Sequence, residues 1–271
     1  MNTTKNSYTL IYMTIMIVIV SLLLSITSGA LKGRQNENIK LDKKKQILSS
    51  LPIIDLSTGD AAEIYATTIK EFNILNAEGE TVKQLNPVDD FDYRATEGEF
   101  PIYIAEVEGA TKYIIPLNGK GLWGAIWGYI ALNDNRNTVY GVFFAHASET
   151  PGLGANIVTD NFRNPFVGKE IIKDGQFASI AIMKVGQKAV GQDQVDALSG
   201  GTITSKGVEA MLQSSLVDYT AFCLMNTSSC SVAEEVAAEI SEVSETEETE
   251  TEVAVESEVT ECESKTEGGN E

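Results

Sequence analysis

At 271 residues the chain has room for one large domain or two small ones, and its 43% hydrophobic content is ordinary for a folded protein. The formal charge of -19 is local: Ser231 to Glu271 holds fifteen Glu and one Lys, which leaves about -5 for the first 230 residues. No basic stripe exists to displace phosphate counterions, so nucleic acid is excluded as a partner.

The first element is an uncharged apolar run, Tyr8 to Thr27, roughly the 20 residues needed to cross a bilayer core. A retained transmembrane helix is the reading this length favours. The alternative is a cleaved leader, with Lys5 as its basic start and Ser28-Gly29-Ala30 as the cleavage site. Lys32, Arg34, Lys40 and Lys43 to Lys45 all follow the run, and taken alone they place the main domain in the cytoplasm. Next comes a segment, 31–51, that reads as a helix leaving the bilayer, with Leu41, Ile47 and Leu48 on its apolar side.

Residues 58–75 read as a helix or a helix–strand pair, and residues 76–99 as loop and hairpin. Four segments rich in β-branched and aromatic residues follow, 100–107, 111–117, 122–132 and 137–145, separated by Gly, Asn and Asp. They predict an antiparallel sheet. In the third, Trp123, Ala125, Trp127, Tyr129 and Ala131 share one face, while Gly124 and Gly128 lie on the other with Ile126 and Ile130. Two glycines on one face leave room for close approach by a helix or by a flat ligand. A further strand is expected in 178–185.

Apolar residues at helical spacing, Val208, Met211, Leu212, Leu216, Tyr219 and Phe222, predict a helix from about Ser205 to Phe222. From Ser231 onward aromatics vanish, and this acidic tail is expected to be disordered because it has too little apolar surface to offset chain entropy. Cys223, Cys230 and Cys262 fit no zinc spacing, so no metal site is expected. A Cys223–Cys230 disulfide and three separate thiols are both open, and the thiols are preferred. The lone His146, at a strand end, reads as structural, and no acid–base pair marks a catalytic centre.

Two loops carry the chemistry. Ser199, Gly200 and Gly201 lead into Thr202-Ile203-Thr204-Ser205, three hydroxyls where a helix start needs one. A helix N-terminus with small residues upstream can cradle a phosphate, and Thr202, two residues ahead of an N-cap at Thr204, could reach the same anion. The simpler reading is that Thr204 or Ser205 caps the helix and Thr202 is incidental. The other loop, 146–157, holds Glu149, Thr150, Pro151 and two glycines, more than a bare turn requires.

Together these residues resemble a known family. Asp196, two residues on to Ser199, then Gly200, Gly201 and Thr202 look like the flavinylation motif of FMN-binding domains, in which a dedicated transferase joins FMN to the final Thr through a phosphoester. The stretches "GKGLWGAIWGYIAL" and "ETPGLG", with "LKGRQNENIKLDKKKQIL" after one membrane helix, are similar to the C subunit of the sodium-translocating NADH:quinone reductases. The resemblance covers roughly residues 5 to 225. It implies an α+β fold, an antiparallel sheet with packed helices, behind one transmembrane helix and ahead of the tail. The implied divisions are 1–30 anchor, 31–95 helical and loop region, 96–226 FMN-binding domain and 231–271 tail.

The resemblance further implies covalent FMN on Thr202, with Ser199, Gly200 and Gly201 as its approach and Asp196 as the part the transferase needs. Glu149, Thr150, Leu153 and Gly154 would lie beside the flavin. Gly201 stands where the family usually has Ala; both are small, so the change is expected to be tolerated, with a looser loop and less efficient attachment. The partners implied are the membrane, the other subunits of an NADH- and ubiquinone-linked sodium pump, and the transferase. The soluble domain is implied to lie outside the cell membrane, against the charge count. Two alternatives remain: the G subunit of the related ferredoxin:NAD oxidoreductase complex, and a non-redox membrane-anchored binding module.

Overall fold

One helix, α1, runs unbroken from Asn6 to Leu48, 43 residues or about 65 Å at 1.5 Å per residue. The membrane segment and the expected exit helix are thus one rod in this computed structural model, which describes residues 6–54, 59–88, 93 and 96–225. Among the described residues α1 is the one helix long and apolar enough to cross a membrane. Its hydroxyls suit that setting: Thr14 and Thr27 donate back to the carbonyls of Leu10 and Leu23 at 2.8 Å. Those two hydroxyls then need no water. Only the last turn is in the core, where Ile47 and Leu48 are fully buried.

α2 (Ala61–Thr68) is started by Asp60, whose carboxylate accepts from the Ala62 amide at 3.0 Å. It passes directly into β1 (Ile69–Leu75), so the helix–strand reading holds. β2 (Thr81–Leu85) folds back on β1 as the expected hairpin. β3 (Phe100–Val107), β4 (Ala110–Lys120), β5 (Ala125–Leu132) and β6 (Val139–His146) complete an antiparallel sheet ordered β2-β1-β3-β4-β5-β6. β5 starts at Ala125, so Leu122 and Trp123 are not strand residues but part of a turn closed by a Gly121 N–H···O=C Gly124 bond of 2.8 Å.

After β6 come a 3-10 turn (Gly154–Val158) and the short α3 (Asp160–Arg163). A two-residue hairpin follows, β7 (Ile172–Lys173) with β8 (Gln176–Phe177). β9 (Ile180–Met183), within the expected strand, pairs in parallel with β10 (Asp193–Asp196). α4 spans Thr202–Leu216 and continues through a 3-10 turn, Val217–Tyr219, into helical residues 220–225. It starts three residues before the predicted Ser205. The physical reason is that Thr204 and Ser205 turn inward rather than capping.

Alternate residues of the strands separate two cores. On one face Leu117, Ile126, Ile130 and Phe144 pack with Val208, Met211, Leu212 and Leu216 of α4. On the other, Tyr103, Ile114 and Ala131 pack with Ile47 and Leu48 of α1 and Tyr65 of α2. Helix-to-sheet approach through glycine does occur, but on β4 rather than β5. A Cβ on Gly119 would lie 2.6 Å from that of Met211, and one on Gly207 2.6 Å from the Lys120 carbonyl oxygen. The β5 glycine Gly128 instead lies under Phe144, whose ring atom would be 3.0 Å from a Cβ there. Trp127 ties the C-terminal end of α1, the stem of the domain, to the sheet, its indole N–H donating to Gln46 at 3.0 Å. Cys223 is buried and free, whereas Cys230, Cys262 and the acidic tail fall outside the described residues.

Candidate functional site

β10 delivers Asp196 to the surface as its last residue, and the chain then turns through 198–201 into α4. The turn is closed by the Gly201 amide on the Leu198 carbonyl at 3.1 Å. Gly200 sits at φ +74°, the left-handed region that glycine enters without a Cβ penalty. Gly201 is the N-cap residue, and no side chain caps the helix. The expected cap at Thr204 is therefore corrected: Thr202 is the first helical residue, and the first turn leaves its N–H groups without intrahelical acceptors.

The three hydroxyls have separate fates. Ser205, fully buried, donates to the Gly201 carbonyl at 2.9 Å and accepts from the Leu198 amide at 3.0 Å, so it braces the turn from inside. Thr204, 2% exposed, donates to the Glu149 carboxylate at 2.6 Å. Thr202 is half-buried, and its hydroxyl has no partner among the described residues. Among the described residues, one hydroxyl of the three is left without a partner.

The second loop meets the first at this point. Thr150 is exposed, and its carbonyl accepts the amides of Leu153 and Ala155 at 3.1 Å, curling residues 150–155 into a tight loop. Leu153 reaches across to the 198–201 turn: a Cβ on Gly200 would lie 2.6 Å from its Cδ2. A Cβ on Gly201 would lie 3.0 Å from the Leu198 Cβ and 3.2 Å from the Leu153 carbonyl oxygen, so this Gly lets the two loops close on each other. Ser199 is exposed at the rim, and Gly154 is buried.

Glu149 lies deeper than the rest, 4% exposed. Besides the Thr204 hydroxyl, its carboxylate accepts the Trp123 amide at 2.8 Å. Its own amide donates to Nδ1 of His146 at 3.3 Å, which gives that histidine the structural role expected of it. Burial pushes the Glu149 pKa up, but the bonds from Thr204, Trp123 and Gly124 outweigh it, and the carboxyl sits below its ordinary value. Gly121, Trp123 and Gly124 belong to the site without being among the residues the sequence marks for it. The signal available was two glycines at the head of a strand-like run, the pattern of a bend or close approach.

The C subunit of the Na(+)-translocating NADH-quinone reductase of Haemophilus ducreyi is 31% identical over 223 residues, which cover 75% of this chain and 86% of that protein. The chain belongs to the family of these C subunits. The corresponding subunit of Neisseria meningitidis is 33% identical over 224 residues, 72% of this chain and 85% of the relative. The crystal structure of the same subunit from Parabacteroides distasonis is 45% identical, with a TM-score of 0.66 over 71% of this chain and 96% of that one. That of NqrC from Shewanella oneidensis is 25% identical, with a TM-score of 0.58 over 70% and 98%. Residues 121–217 match the FMN-binding domain family. That span opens at the turn whose amide Glu149 holds and contains both loops of the site.

Proposed function

We propose that this chain is the electron-carrying flavoprotein subunit of a membrane sodium-translocating NADH–quinone reductase, with FMN in phosphoester linkage to Thr202. The observation that carries the residue assignment is the sorting of the three hydroxyls: Ser205 and Thr204 are buried and bonded, while Thr202, at the first helical position, is half-buried and free of partners among the described residues. The surroundings fit a phosphate. Unpaired first-turn N–H groups and the helix dipole favour an anion, and Gly200 and Gly201 put no side chain in its way.

In this reading Thr202 holds the phosphate and Ser199, Gly200 and Gly201 line its approach. Thr150, Leu153 and Gly154 flank the flavin, and exposed Asp196 is what the transferase engages. The flavin, when bound, accepts and passes on electrons. The protein positions it and prevents its loss between upstream and downstream centres of the complex. Residues 96–226 carry the flavin site, and 31–95, expected as a helical and loop region, also supplies β1 and β2 to the same sheet.

The apolar part of α1 is the single membrane span, and the flavin domain stands on the outer side, where the transferase reaches Thr202. The basic residues after the span argue the other way, but that bias yields to the other subunits of a complex. Protease added to intact spheroplasts should digest the domain, whereas a domain protected until the membrane is broken would reverse the orientation.

The attachment is tested by co-producing the chain with a flavin transferase and viewing a denaturing gel under ultraviolet light. A fluorescent band for the parent, lost in Thr202→Ala, is expected. A band of equal intensity in Thr202→Ala would refute the residue assignment, and no band in either would refute covalent attachment.

A further inference from the structure

A buried carboxylate is costly unless it is well satisfied. No Lys or Arg forms an ion pair with Glu149 among the described residues: its hydrogen-bond donors are neutral, and the charged influence on it is that of His146. Those donors come from two separate segments: the 121–124 turn ahead of β5, through the Trp123 amide, and the first turn of α4, through the Thr204 hydroxyl. Glu149 itself belongs to a third, the 149–155 loop, anchored by its amide on His146 at the end of β6. One carboxylate therefore joins all three loops around Thr202.

The cradle is shaped to this group. A Cβ on Gly154 would lie 2.6 Å from Glu149 Oε2, and one on Gly121 would lie 3.0 Å from Glu149 Cδ. Each glycine would push the carboxylate aside if it carried a side chain. Thr204, the residue held, is two positions after Thr202, about 3 Å further along the helix axis. Fixing one fixes the other.

We propose that Glu149 is a positioning residue that sets the Thr202 turn against the 150–155 loop and holds a fixed negative charge beside the flavin site. This rests on the reading of Thr202 as the attachment residue. Two consequences follow from separate physics. As a clasp, the carboxylate keeps the first turn of α4 closed, because bonds to a charged acceptor in a dry site are stronger than neutral ones. As a charge, it disfavours the electron-rich reduced flavin over the oxidised one, because a fixed anion is poorly screened where water is excluded.

The test uses the full-length chain in two forms. In the flavin-free Thr202→Ala form, hydrogen exchange is measured at the amides of 198–206. Adding Glu149→Ala should speed it about tenfold or more, the scale expected when bonds to a charged acceptor are lost, with β3 to β6 unchanged. In the flavinylated form, the midpoint potential is measured by spectroelectrochemistry. Glu149→Gln fills the same space but keeps one acceptor oxygen and no charge, so it should speed exchange less than Glu149→Ala does and move the potential positive. A purely structural residue would leave that potential where it was.

Unchanged exchange in Glu149→Ala, or a potential in Glu149→Gln that stays put or moves negative, overturns the proposal. Should Glu149→Ala fail to fold, the potential of Glu149→Gln decides. Absence of FMN from Thr202 in the parent would instead defeat the attachment reading, and the exchange arm, which needs no flavin, would still judge the clasp.

Discussion

Toward α4 the sheet presents Leu117, Ile126, Ile130 and Phe144, whereas toward the stem helix it presents Tyr103, Tyr129 and the buried amine of Lys112. The α4 face closes by direct backbone approach, with Gly119 and Gly207 letting helix and strand touch. The stem face closes through large amphipathic rings. Phe72 stacks on Tyr103 with centroids 4.5 Å apart, and the Lys112 amine lies 4.6 Å over the Tyr140 ring. Burial pushes the Tyr129 hydroxyl up to about 12. The difference follows from what each face carries. α4 begins at the turn that carries Thr202, and close-packed aliphatic contact holds it in one position. The stem face holds the end of a long rod, and its rings bring polar tips such as the Tyr140 hydroxyl into a largely apolar seat.

The largest effect is expected from cutting the α4 seat. Leu212→Ala, at a fully buried site, should cost about 2–5 kcal/mol in denaturant unfolding. It should also lower the flavin-loaded fraction, because the helix that bears Thr202 loses its footing. A cost below about 1 kcal/mol would show that the seat is loose and the comparison mistaken.

Acid should separate the faces next. Glu149 is held below its ordinary value of 4.5 in the folded chain, so the clasp contributes fully above that pH, and its contribution is lost as pH falls below 4.5 toward the folded value. Unfolding curves taken through this range should show a shallower pH slope for Glu149→Gln than for the parent. Parallel slopes would mean that the carboxyl is not protected.

The smallest effect belongs to the stem face. The Tyr140 hydroxyl is buried with no hydrogen-bond partner among the described residues. Tyr140→Phe removes an unsatisfied group and should be neutral or stabilising, within about 1 kcal/mol. A clear loss of stability would reveal a partner for that hydroxyl and a more exacting stem face.

Much of this fold is legible in the residues. β3 to β6 announce themselves by alternation and β-branching, and α4 by the spacing of Val208, Met211, Leu212 and Leu216. β7, β8 and β10 do not, because strands of two to four residues containing Lys, Gln and Asp carry no period to detect. The start of α4 departs from its predicted place for a specific reason. Thr204 and Ser205 are good capping residues by type, yet both hydroxyls are engaged elsewhere, one by a carboxylate 55 residues away. Local rules register a hydroxyl but not its distant partner. Spacing alone leaves Thr202 as an incidental neighbour of a helix cap; it is the resemblance to FMN-binding domains that groups Asp196, Ser199, Gly200, Gly201 and Thr202 as a unit, and "ETPGLG" as a second. That Glu149 joins them from beneath requires the fold.

Whether one hydroxyl among three carries the flavin can be read directly by fragmentation mass spectrometry. The chain co-produced with its transferase would be digested with trypsin, and the peptide ending at Lys206 sequenced with its modification intact. The expected result is a mass gain of one FMN less one water on Thr202, with Thr204 and Ser205 unmodified. The same gain on Thr204 or Ser205, or an unmodified peptide from a protein that nonetheless carries flavin, would contradict the assignment.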